Sequence, residues 1–153
     1  MKLWPLFVVC TIVCWGAYVP MIHHGQMAFE PKNNSALRAF LFVGAAYFLM
    51  AGLTFAYLIL SKSEPLLLTR QGVTLSTIAG ILGAIGALGI VFAIKSGGTP
   101  LAVAPLVFAG APVVNTLVSM LWDKPKYPPH WMFYFGIVLA GVGAAVVLRF
   151  KPV

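Results

Sequence analysis

Apolar residues run almost unbroken through five stretches of the chain: 3–22, 39–60, 72–94, 101–122 and 131–148. A helix rises about 1.5 Å per residue, so a run of about 20 residues crosses the roughly 30 Å hydrocarbon layer of a bilayer. Polar and breaking residues separate the runs. Glu30-Pro31-Lys32-Asn33-Asn34-Ser35 breaks a loop from His23 to Arg38, and Glu64-Pro65 breaks a second loop after Ser61. Lys95-Ser96-Gly97-Gly98-Thr99-Pro100 is a tight turn, and Asp123 to His130 holds three prolines. Lipid offers backbone groups no partner, so each apolar run must satisfy its own hydrogen bonds as a helix. The pattern predicts an all-α membrane protein with five transmembrane helices in a single domain over 1–153. The short turn after the third run makes spans three and four antiparallel neighbours. Trp4, Trp122, Tyr127, Trp131 and Tyr134 fall near the expected span ends, as an interfacial aromatic belt requires.

Composition agrees and removes several functions. The chain is 61% hydrophobic and 8% charged, whereas soluble domains carry about 25% charged residues. The net charge of +7 does not imply nucleic acid, because the basic residues sit singly at span ends and form no patch. Their expected partners are lipid headgroups, and the expected location is the inner membrane of a bacterium, as a multi-pass integral protein. With the N-terminus inside, Lys2, Lys62, Arg70, Lys124 and Lys126 face one side, and Lys32, Arg38, Lys95, Arg149 and Lys151 face the other. That balance gives the positive-inside rule no preferred direction. Either the protein inserts both ways, or the first helix decides.

The three acidic residues, Glu30, Glu64 and Asp123, all lie in loops. A cation antiporter working through a membrane carboxylate is therefore disfavoured, and neutral or anionic solutes are favoured. The first run lacks an A-x-A-like cleavage site and is as long as a true span, so it reads as a helix rather than a signal peptide. Cys10 and Cys14 share a helix face but are poorly placed for a disulfide. Small apolar packing is the plain reading, with copper(I) ligation the alternative. His23, His24 and His130 lack the further ligands of a metal site; they read as interfacial groups, with pH gating as the sharper alternative. No cofactor motif and no catalytic set is present, so an enzyme is not expected.

Within the spans, small and breaking residues carry the detail. Gly80, Gly83, Gly86 and Gly89 recur every third residue, and Gly136 and Gly141 lie among alanines in the fifth span. Such residues permit close helix approach in lipid, where apolar burial gives no preference between protein and solvent. Pro5 and Pro20 lie near the expected ends of span one, whereas Pro105 and Pro112 lie inside span four and predict kinks. Neutral polar and aromatic groups remain to line a cavity: Trp15, Tyr18, Tyr47, Thr54, Tyr57, Asn115 and Ser119.

Several of these residues stand in a familiar order. Trp15-Gly16, Leu37-Arg38, Phe92-Ala93-Ile94-Lys95 with Thr99-Pro100-Leu101-Ala102, Pro112-Val113-Val114-Asn115 with Leu121-Trp122-Asp123, and Gly136 through Val142 follow one another along the chain. Together they resemble the five-helix repeat of the drug/metabolite transporter superfamily, EamA type. Asp123 stands where that repeat usually has Glu, and the chain holds one repeat where most members have two. The resemblance implies half of an inverted-repeat transporter that moves small metabolites by alternating access. It implies pairing with a second five-helix body, as an antiparallel homodimer or with a sister subunit. Trp15, Tyr18, Tyr47 and Asn115 would line the cavity, Lys95 would stand at its mouth, and the glycine ridges would slide and pair. The alternative is a non-transporting scaffold or accessory subunit that kept the fold.

Overall fold

Each apolar run is a helix: α1 (Trp4–Ala28), α2 (Ser35–Ser61), α3 (Arg70–Lys95), α4 (Pro100–Trp122) and α5 (Trp131–Phe150). The structure is a computed structural model and describes residues 3–30, 35–122, 125 and 127–150. The loop and charge readings at Lys2, 31–34, Asp123, Lys124, Lys126 and Lys151 lie outside the described residues. All five helices are long and apolar enough to cross a membrane, and the protein is a multi-pass helical membrane protein. Trp4 opens α1, Trp122 closes α4 and Trp131 opens α5, each largely exposed where a bilayer interface would lie.

Local chemistry sets the helix ends. Thr69 caps α3, accepting the Gly72 amide on its hydroxyl at 3.2 Å and the Val73 amide on its carbonyl at 3.0 Å. Pro100 occupies the first position of α4, where its missing N–H does no harm, and the Thr99 carbonyl accepts from Ala102 and Val103. His130 opens α5: its Nδ1 accepts the Met132 amide at 3.3 Å and its carbonyl the Phe133 amide at 2.9 Å. The turn after α3 uses Gly97 at φ 95°, a left-handed conformation that glycine adopts without strain. Lys62 takes the same region at φ 51° just after α2.

The largest departure from expectation is in α1. The sequence places a loop from His23 onward, whereas the helix continues to Ala28. Pro20 consequently sits inside the helix, not near its end. The physical reason is that loss of hydrophobicity does not stop a helix. Met21 to Ala28 contains no proline and one glycine, so it lacks a stop signal. At 25 residues the helix is about 37 Å long, so its polar end emerges from the hydrocarbon.

The chain forms two compact units, one from Met1–Val19 with Gly97–Val153 and one from Pro20–Ser96. In the first, α4 packs along α5. In the second, α2 packs along α3, and the buried side chains cluster at Ile22, Gln26, Ser35, Ala36, Ala39, Ile90, Val91 and Ile94. Val19, Ala102 and Val103 are buried as well, most other large apolar side chains are exposed, and no residue of α5 is buried. Such a surface suits a chain whose surroundings are lipid or other helices, because it needs no apolar core to stay out of water. A Cβ added at Gly80, Gly83, Gly86, Gly89, Gly136 or Gly141 would meet nothing within 4 Å. Among the described residues, these glycines thus leave open space beside their helices. Pro105 and Pro112 lie inside α4, which continues through both.

Candidate functional site

In the first unit, α1 and α4 wall a cleft of about 500 Å³ lined by Thr11, Ile12, Trp15, Gly16, Val107, Phe108 and Ala111. On α1 the lining residues are spaced one, three and one apart, and on α4 one and three apart. Each set therefore falls on a single helix face. Trp15 and Phe108 meet edge to face, with ring centroids 6.3 Å apart and planes at 71°, an arrangement favoured by the ring quadrupoles. Gly16 leaves the wall open, since a Cβ there would have no neighbour within 4 Å. The Thr11 hydroxyl donates to the Phe7 carbonyl at 2.9 Å.

The second unit holds a polar junction. Gln26, buried, donates from Nε2 to the Val91 carbonyl on α3 at 3.4 Å. Arg38 donates to the Glu30 carbonyl at 2.6 Å, and its guanidinium lies 5.2 Å from the centre of the Phe29 ring. Phe29 in turn stacks on Phe42 at 5.8 Å. These contacts join the end of α1 to the start of α2 and the end of α3. The His23 ring stands against His24 at 5.7 Å, and its buried Nδ1 has no hydrogen-bond partner among the described residues. The histidines thus belong to a helix and not to the expected loop.

The predicted site residues fall in different places. Trp15 lines the cleft. Tyr18, half-buried one turn further along α1, lies outside its lining, as does Asn115, exposed one turn beyond Ala111 on α4. Tyr47 is exposed in the middle of α2. Lys95 ends α3, its ammonium 5.8 Å from the Phe92 ring of the same helix. The Thr54 hydroxyl bonds its own helix at the Met50 carbonyl, and Tyr57 and Ser119 are exposed. Cys10 and Cys14 are free thiols, and no group of three or more metal-ligating side chains occurs among the described residues.

Sequence reasoning missed Thr11, Ile12 and Phe108 as lining, and Gln26 and Arg38 as junction residues. The helical spacing of 11, 12, 15 and 16 was the available signal for the first group. For Gln26 it was spacing from Ile22, one turn earlier on a continuing helix.

Cleft and helices together define a multi-pass helical membrane protein with a small apolar cleft inside one of its units. No family model, no curated protein and no solved structure matches the chain.

Proposed function

We propose that this chain is a small-solute transporter of EamA-like build. It works paired with a second five-helix body, either another copy inserted in the opposite direction or a sister subunit. The observation that carries the reading is the aromatic-walled cleft between α1 and α4. Its volume of about 500 Å³ falls in the range of small-molecule sites, and its apolar lining with few polar groups has their character. The open glycines of α3 and α5 add support, since they leave smooth surfaces on which a second body could pack and move. The balanced basic residues permit insertion both ways.

Purified protein in liposomes should take up one or more radiolabelled solutes from a panel of adenine, uracil, nicotinamide and lactate. Gly16→Leu, which fills the cleft, should abolish that uptake and leave the protein folded. A C-terminal reporter should be found on both sides of the membrane, and added lysines at one end should drive it to one side. A single fixed orientation would remove the antiparallel homodimer and leave the sister subunit.

A second reading, a scaffold or accessory subunit, is favoured by one observation: α5 packs along α4 yet buries no residue, so it offers much of its surface to a partner. On that reading the panel gives no uptake, and bulky substitutions at Gly136 and Gly141 release a partner subunit.

A further inference from the structure

We infer that the connection between α2 and α3 is a membrane anchor: Leu66, Leu67 and Leu68 enter the boundary between the headgroups and the acyl chains of the bilayer. The anchor is independent of what the cleft binds.

The helices fix where this connection lies. α2 and α3 contain 27 and 26 residues, so each is about 40 Å long and outreaches the roughly 30 Å hydrocarbon layer. Their apolar runs close at Leu60 and open at Gly72, so residues 61–71 emerge at one face of the membrane. Polar chemistry turns the chain there. Lys62 takes φ 51°. The Ser61 hydroxyl donates to the Ser63 hydroxyl at 2.9 Å and accepts the Ser63 amide at 3.2 Å. Glu64 and Pro65 follow. A surface connection with only that task would stay polar, as the turn from α3 to α4 does at Ser96-Gly97-Gly98-Thr99. This one instead carries three consecutive leucines just before the cap at Thr69.

The chain does not cover these leucines. They are 51%, 81% and 80% exposed in order, and no residue from 61 to 70 is buried. A single exposed leucine is ordinary, whereas a contiguous apolar patch marks an interaction surface. Lipid is the occupant that fits, because the patch continues the exposed apolar surface of the spans on either side, at Leu60 and Val73. The backbone limits the depth. Among residues 63–68 the amides make one bond to another backbone group, from Leu67 to the Pro65 carbonyl at 2.8 Å. The remaining backbone groups need water or headgroups and cannot sit in hydrocarbon. The side chains reach inward while the backbone stays at headgroup level. Lys62 and Arg70, both exposed, flank the leucines, and their long stems carry the charged ends to the phosphates that every phospholipid supplies.

The test uses the full-length protein with Cys10→Ala and Cys14→Ala, in liposomes of phosphatidylethanolamine and phosphatidylglycerol. A nitroxide label is placed at Leu67→Cys, and at Ser63→Cys for comparison. Collisions with oxygen, which concentrates in lipid, and with a nickel chelate, which stays in water, are read by electron paramagnetic resonance. The ratio of oxygen to nickel collisions should be severalfold higher at position 67 than at position 63, and Leu68→Cys should behave like Leu67→Cys. Adding Leu66→Ser and Leu68→Ser should bring the ratio at position 67 down to that at position 63. Both serines replace exposed side chains, and Leu66→Ser alone gives the same readout where the pair fails to fold.

Equal ratios at positions 67 and 63 would overturn the inference, since the leucines would then lie in water. Shielding of the label from both reagents would also overturn it, because protein, a second copy or another chain, would then cover the patch. A high ratio that survives the two serines would show that the leucines do not drive the insertion, and would overturn it as well.

Discussion

The two units of the chain differ in what lies between their helices. In the unit built from residues 20–96, polar side chains close on backbone: Gln26 on Val91, Arg38 on Glu30, Thr69 on Gly72. The buried Nδ1 of His23 is its exception. In the unit that holds the cleft, Thr11 and His130 also bond backbone, but the walls of the cleft are apolar side chains around the Trp15–Phe108 pair. A closed polar group costs little in lipid and fixes helices in register, whereas an apolar, aromatic-walled cleft joins its helices through few contacts and leaves room for a solute. On the function proposed above, the first arrangement is scaffold and the second is site. Substitutions in the junction should therefore cost stability, and substitutions in the cleft should cost binding.

The largest loss of stability should come from Arg38→Ala. It removes a charge-assisted bond to the Glu30 carbonyl and the contact with the Phe29 ring, together worth about 2–3 kcal/mol. Reversible unfolding in mixed detergent micelles measures the loss. Arg38→Lys should recover part of it, since a lysine keeps the charge and loses the flat guanidinium. Wild-type stability in Arg38→Ala would show that the junction is not scaffold.

Gln26→Ala should follow, at about 1–2 kcal/mol for an interhelical bond and its packing. Gln26→Leu keeps most of the volume and isolates the bond, so it should cost about 0.5–1 kcal/mol in the same assay. If the two changes cost the same, packing rather than the bond to Val91 holds α1 to α3.

How much of this was legible follows from which physical signal each element carries. The helices were plain because an apolar run bounded by breakers has one solution in lipid; Glu64-Pro65 and Gly97 through Pro100 mark real ends. The end of α1 was not, because composition turns polar at His23 while the backbone has no reason to stop until Ala28. Trp15, chosen by residue type, lines the cleft. Tyr47 and Asn115 were chosen by the same reasoning and lie outside the cleft. Residue type gives chemistry, whereas only the facing helix says which side of the cylinder is used. Phe108 stayed hidden for that reason, one apolar residue among many until Trp15 is seen against it. The glycine ridges were legible as surfaces, and among the described residues the space beside them is open.

The cap of α3 permits a finer test inside the closed unit, at about 1 kcal/mol. Thr69→Ala should lose that amount by freeing the Gly72 amide. Gly72→Ala should also destabilise, since its new Cβ would stand 2.9 Å from the Thr69 hydroxyl and push it off the amide. In the Thr69→Ala background that obstacle is gone, and alanine is a better helix residue than glycine by up to about 1 kcal/mol. The same Gly72→Ala change should then stabilise. A change that destabilises in both backgrounds would show that something other than the cap reads position 72.

The smallest effect on stability and the largest on binding should coincide at Trp15. Its side chain is 48% exposed, and its one ring contact across the cleft is the edge-to-face pair with Phe108, worth about 0.5–1.5 kcal/mol beyond its buried area. Trp15→Phe keeps an aromatic wall, so its unfolding midpoint should move by less than about 0.5 kcal/mol. It shortens the wall, so the affinity of a flat aromatic solute such as indole should still fall severalfold. Trp15→Ala should abolish saturable binding of a flat aromatic solute such as indole while costing less stability than Arg38→Ala does in the junction. That crossover, less stability lost and more binding lost than in the junction, is what separates a site from a scaffold. Should Trp15→Ala unfold the protein as readily as Arg38→Ala, the cleft would be structural packing, and the division between the two units would have no functional meaning.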